Sequence, residues 1–156
     1  MRWNFLTPCK EEHALIPGEA CRPADIYLPN WANGRDCALD VTVVSPVQHA
    51  LVSKAAAEGG SALTHAYGRK MRQSWDPCHQ EGIEFVPLPV ETFGGWHPVA
   101  LKVLNKLGRQ FARHIGKSDS EVLNHMYQRL GILLQKGNCA LIASGSPDLA
   151  HSSLHL

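Results

Sequence analysis

The 156-residue chain has no apolar run approaching the ~18 residues that a helix needs to span a bilayer. Its opening, Met1-Arg2-Trp3-Asn4-Phe5-Leu6-Thr7-Pro8, lacks the apolar core of a signal peptide. Both absences lead us to expect a soluble intracellular protein without a membrane partner. The five cysteines (Cys9, Cys21, Cys37, Cys78, Cys139) are odd in number, widely spaced and free of any Cys-x-x-Cys pair. That pattern excludes a disulfide framework and a zinc knuckle and leaves free thiols. Internal repeats and low-complexity blocks are also missing. Charged residues make up only 19% and nearly cancel, fifteen Lys+Arg against fourteen Asp+Glu. A total of +1 argues neither for nor against a polyanion partner.

What is present is enough apolar content, 44%, for one ordinary domain core. The charges are unevenly spread. Residues 1–96 carry eight basic and eleven acidic side chains, and residues 97–156 carry seven and three. Residues 1–20 mix proline, glycine and charge and read as a loosely structured segment, residues 21–137 as the folded domain, and the Ser/His/Pro-containing residues 138–156 as a flexible tail.

Within the domain, residues 24–28 and 37–44 have strand composition and flank Asn33-Gly34, so they read as a hairpin. In the second run Leu39, Val41 and Val43 alternate with Asp40 and Thr42, giving one apolar face and one oxygen-bearing face. Residues 47–74 read as two helical segments broken at Gly59-Gly60 and closed by Asp76-Pro77. Residues 83–90 have strand composition, but Pro87 and Pro89 confine them to an edge. Two helices follow. The first, residues 98–115, sets Ala100, Leu104, Leu107, Phe111 and Ile115 on one face and stops at Gly116. The second opens with the capping box Ser118-Asp119-Ser120-Glu121 and presents Leu123, Tyr127, Leu130 and Leu134. The expected class is α/β (α+β), a small mixed sheet flanked by helices with a C-terminal helical pair.

The chemistry centres on Asp25 and Asp40. A turn centred between Ala32 and Asn33 brings them face to face across the hairpin, with Cβ atoms ~5 Å apart. Two carboxylates that close repel unless a cation sits between them, and Mg²⁺, which prefers a few hard oxygens and keeps its waters, suits the gap. A phosphodiester-cleaving site also needs a cation to orient water or neutralise the phosphate. Thr42 cannot serve. Lys70, in the helical run Arg69-Lys70-Met71-Arg72, can, and Glu91 is a candidate accessory ligand. The same residues have ordinary readings: Asp25 as a strand-edge residue, Asp40 as a solvated carboxylate, and Arg69-Lys70 as a surface face. Lys102, Lys106, Arg109 and Arg113 fall on one stripe of the first C-terminal helix, which fits either a phosphate-tracking surface or a solvated face. Trp31, Trp75 and Trp96 are candidates for stacking on bases, with burial the expected fate of at least two.

Four strings then carry a resemblance: Arg22-Pro23-Ala24-Asp25-Ile26-Tyr27-Leu28-Pro29-Asn30-Trp31; Cys37-Ala38-Leu39-Asp40-Val41-Thr42-Val43; Ala66-Tyr67-Gly68-Arg69-Lys70; and Val86-Pro87-Leu88-Pro89-Val90-Glu91-Thr92-Phe93-Gly94-Gly95. In this order, over roughly residues 10–135, the chain resembles the C-terminal restriction-endonuclease-like domain of animal non-LTR retrotransposon proteins, a branch of the PD-(D/E)xK nuclease superfamily. The resemblance implies that Asp25 and Asp40 are the metal-binding acids and Lys70 the catalytic lysine, migrated from the strand position held here by Thr42. It further implies Mg²⁺- or Mn²⁺-dependent DNA nicking that primes reverse transcription, with DNA (or RNA) as partner in the nucleus. Ala24 separates Pro23 from Asp25, and Gln73 replaces a basic residue that relatives often carry. No Tyr-x-Asp-Asp polymerase signature occurs, so the reverse-transcriptase domain of a parent polyprotein is expected to be absent. The alternative is a catalytically inactive nucleic-acid-binding or structural remnant.

Overall fold

The computed structural model describes residues 24–144 together with the backbone of Cys9–Lys10. Asn33 and Gly34 both take positive φ, 52° and 76°, and so form the two-residue turn whose twist matches paired strands. They join β2 (Ile26–Ala32) to β3 (Arg35–Val44), with Ala32 opposite Arg35. This turn lies one residue beyond the centre expected from sequence. An irregularity between Leu28 and Ala32 absorbs the difference and restores the pairs Leu28–Cys37, Tyr27–Ala38 and Ile26–Leu39. At its middle Asn30 adopts a left-handed backbone (φ 55°) and donates its N–H to Asp36 Oδ1 at 2.8 Å, while Tyr27 donates its hydroxyl to the other Asp36 oxygen. The bulge thus turns a shifted turn back into the expected register where Ile26, Tyr27 and Leu28 face Leu39, Ala38 and Cys37.

A two-residue strand, β1 (Cys9–Lys10), pairs antiparallel with β2 on the side away from β3. After β3 the chain forms α1 (Val52–Ala57) and α2 (Ser61–Gln80), then returns as β4 (Glu84–Glu91), parallel to β3. The sheet order β1-β2-β3-β4 puts β4, with Pro87 and Pro89, at an edge, as its composition requires. A bridge from Val90 to Trp96 and a bond from His97 N–H to the Pro89 carbonyl (3.0 Å) cover part of that edge. The helical pair α3 (Pro98–Ile115) and α4 (Asp119–Ala143) completes the fold. The chain is therefore mixed α/β, with a small mixed sheet flanked by helices.

β3 is central and covered on both faces. Leu39 and Cys37 pack with Leu28, Trp31, Val86 and Leu88 against Ala100 and Val103 of α3. On the other face Ala38 meets Phe85, Cys78 and Met71, and Val44 meets Ala62, Leu63 and Ala66, all under α2. Asp40 and Thr42 alternate with the α3-facing residues, so they too lie beneath α2. Both are buried, at 8% exposure, which removes the solvated reading of Asp40.

Three elements differ from expectation. α2 does not stop at Asp76-Pro77 but continues to Gln80, because fully buried Cys78 ties its last turn to the core. The buried line of α3 runs Ala100, Val103, Leu104, Gly108 and Ala112, leaving Phe111 56% and Ile115 41% exposed. Small residues decide this. A Cβ at position 108 would lie 2.5 Å from a Leu123 methyl, so α4 seats on the bare backbone there and the larger side chains swing outward. α4 itself runs to Ala143, well into the expected tail. The expected loose segment 1–20 (apart from β1) and residues 145–156 lie outside the described residues.

Candidate functional site

Asp25 stands immediately before β2. Its N–H donates to the Leu39 carbonyl at 3.0 Å, one residue out of the register in which Ile26 opposes Leu39, and its carboxylate Oδ2 accepts from Val41 N–H at 2.8 Å. It is thereby anchored to the β3 backbone on either side of Asp40. Asp40 points the opposite way from Leu39, toward α2, where its oxygens meet Lys70 Nζ at 3.0 Å (Oδ2) and 3.2 Å (Oδ1). Thr42, two residues on and on the same face, donates its hydroxyl to Asp40 Oδ2 at 3.1 Å. Lys70 reaches this point because Ala66 and Ala62, one and two turns earlier on the same side of α2, are small and fully buried, bringing the helix close to the sheet. The structure therefore brings Asp25, Asp40, Thr42 and Lys70 into one cluster.

Burial pushes the Asp40 carboxyl up from its ordinary range, and the neighbouring Asp25 carboxylate adds to the rise. The Lys70 ammonium opposes both without cancelling them. Two carboxylates against one ammonium leave the cluster one negative charge in excess, a setting that favours a cation. Asp25 and Asp40 are the residues able to hold Mg²⁺ or Mn²⁺, with water filling the remaining positions. Among the described residues, no group of three His, Cys, Asp or Glu side chains is arranged to hold a metal by itself. Glu91 does not join the pair. It lies opposite Val44, whereas Asp40 lies opposite Pro87, so Glu91 sits four residues, about 13 Å, further along the sheet. Its carboxylate instead folds over Gly95, where a Cβ would come 3.0 Å from Glu91 Oε2.

Two further features of α2 were not predicted from the sequence. The Nε of Arg69, next to Lys70 in the chain, is buried with no hydrogen-bond partner among the described residues. Tyr67, one turn before Lys70, stacks on His97 with ring centroids 4.4 Å apart and planes within 7°. His97 caps α3, its Nδ1 accepting from Val99 N–H at 3.3 Å. The run 66–70 flagged basic and aromatic types here, but only the helix's rotation against β3 and β4 selects which ones turn inward.

The stripe on α3 is not part of this cluster, because α3 covers the opposite face of the sheet. Lys102 and Arg113 are exposed, and Arg109 lies 3.9 Å from Asp119. Lys106 is turned back on the protein: its Nζ sits 3.7 Å above the Trp31 ring and 3.4 Å from the Trp31 carbonyl. Lys106 is thus a packing residue, and the four cations do not form a free phosphate-tracking row. No family model, curated protein or solved structure matches this chain, which leaves its residue geometry to carry the functional argument.

Proposed function

We propose that the protein is a metal-dependent phosphodiesterase of restriction-endonuclease-like type, a retroelement-derived domain that nicks DNA in the nucleus and so frees a 3′ end to prime reverse transcription. The observation that carries this reading is the Lys70 ammonium bridging both oxygens of a buried Asp40, with Asp25 held on the β3 backbone to either side of it. Opposed acids on a hairpin and a lysine delivered from the following helix are what the resemblance of the sequence implies. A bound Mg²⁺ or Mn²⁺ would supply charge neutralisation at the phosphate and a more acidic water. Asp25 and Asp40 would hold the ion. Lys70, already on Asp40, is positioned to orient the attacking water or face the developing phosphate charge. Thr42 keeps Asp40 in its rotamer by donating to Oδ2.

One observation favours a second reading: Lys70 closes onto Asp40 and no third acidic ligand joins among the described residues, as suits an inactive nucleic-acid-binding remnant. Plasmid nicking separates the two. The nuclease reading expects relaxation of supercoiled DNA with Mg²⁺ or Mn²⁺, and its loss in Asp40→Ala and Lys70→Ala. No nicking by a cooperatively folded sample with either ion excludes it.

A further inference from the structure

We propose that an exposed stripe of α2, made by Gly68, Arg72, Trp75 and His79, is a stacking platform for the bases of an unpaired nucleic-acid strand. Spacings of four, three and four residues place these positions along one side of the helix, well round from Lys70. Trp75 is 42% exposed, a large apolar surface to leave in water, while Trp31 and Trp96 pack in the core. Its ring lies against the His79 imidazole with centroids 4.5 Å apart and planes within 11°. At the other end, a Cβ at position 68 would lie only 3.5 Å from a terminal nitrogen of Arg72. The guanidinium therefore folds back over the glycine, alongside the helix.

A guanidinium, an indole and an imidazole thus follow one another over seven residues, about 10 Å of helix. Arg72 and His79 are both exposed, and Arg72 makes no ion pair among the described residues, although Asp76 stands four residues on. Planar groups plus one free cation match a nucleobase and its phosphate, and stacking tolerates any base. Bases within a duplex are already stacked on each other, so the partner is single-stranded. Lys70 lies five residues before Trp75, about 7.5 Å along the same helix but turned well round it, so α2 carries the platform and the Asp40–Lys70 cluster on different sides. The inference rests on the nucleic-acid part of the proposed function and not on metal or cleavage.

The test is fluorescence anisotropy of labelled oligo(dT) and of a duplex of equal length, with the full chain and with EDTA present. The expected result is preference for oligo(dT), a loss of about tenfold in Trp75→Ala, most of the affinity retained in Trp75→Phe, and no change in Phe93→Ala, whose ring is exposed elsewhere. Circular dichroism melts confirm that each variant is folded. Undiminished binding by Trp75→Ala, Trp75-insensitive preference for duplex, or no binding to either probe by the folded parent chain overturns the platform, and the last leaves the stripe to a protein partner. Trp75-dependent binding without nicking in Mg²⁺ supports the platform while removing the nuclease. Nicking with Trp75-independent binding does the reverse.

Discussion

Asp40 is under two opposed influences, and their balance sets a pH dependence. Its carboxyl is raised by burial above its unfolded value of 3.8 despite the Lys70 ion pair. The native state therefore holds the proton more tightly than the unfolded chain. Stability contributed by this group is greatest below 3.8 and is lost as pH rises toward the elevated native value. A divalent cation needs the ionised form, so affinity moves the other way and increases as pH rises through the same window. Calorimetric Mg²⁺ or Mn²⁺ titrations from acid to neutral pH should show tighter binding at the higher pH and proton release on binding. Asp40→Asn should abolish both effects while leaving the chain folded. Equal affinity across the range would remove Asp40 as a ligand.

His97 gives the opposite sign. Burial lowers its pKa below 6.5, and its neutral Nδ1 accepts the Val99 amide that would otherwise be an orphan donor at the start of α3. Its contribution is present above 6.5 and is lost as pH falls toward the lowered native value. His97→Asn, which caps a helix without titrating in this range, should flatten the acid side of the stability profile relative to the parent chain in denaturant melts at stepped pH. These residue-scale effects were not legible in the sequence. The alternation of residues 39–43 identified Asp40's face, but not that α2 would cover it.

Among the elements, the hairpin is the most informative. Asn33-Gly34 announced the turn, and the alternating apolar residues announced β3, yet the expected turn centre was one residue away. The strands still return to the expected register at Ile26–Leu39 because the irregularity at Asn30 compensates, and Asp25 then bonds the β3 backbone on either side of Asp40. Gly34 is the point at which the chain requires left-handed backbone from a residue without a Cβ, at φ 76°. Gly34→Ala should cost about 1–2 kcal/mol in chemical denaturation with an unchanged m-value. A negligible cost would mean the turn relaxes to another type. The prolines of β4 were equally readable as an edge signal. Pro77 misled, since burial of Cys78 outweighs the helix-ending tendency of a single proline.

For the whole molecule, the decisive arrangement is that α2 and α3 lie on opposite faces of the sheet. The acidic pair and Lys70 belong to the α2 side, and the stripe of Lys102, Lys106, Arg109 and Arg113 to the α3 side. Lys102→Ala with Arg113→Ala should therefore leave nicking unchanged, whereas Lys70→Ala should remove it. Lys106→Ala should instead lower stability by about 1 kcal/mol, measured by thermal melting, because it removes the cation from the Trp31 ring and the bond to the Trp31 carbonyl. Thiol labelling reads the same layering. Cys139 is exposed and should react in the native state, while Cys37, buried and pushed up to about 12, should react only on unfolding.

By itself the sequence determined the local matters: the hairpin and its turn, the edge strand, the helix caps, and which residues stand as candidates for the site. Those follow from backbone geometry and side-chain period within a few residues. The tertiary structure alone decided that Asp40 is buried and meets Lys70, that Glu91 stays remote, and that Lys106 packs on Trp31 while Trp75 stays in water. The reason is rotational. A helix shows several faces, and close approach at small residues such as Ala66 and Gly108 selects the one turned inward, a choice fixed by neighbours far away in the chain.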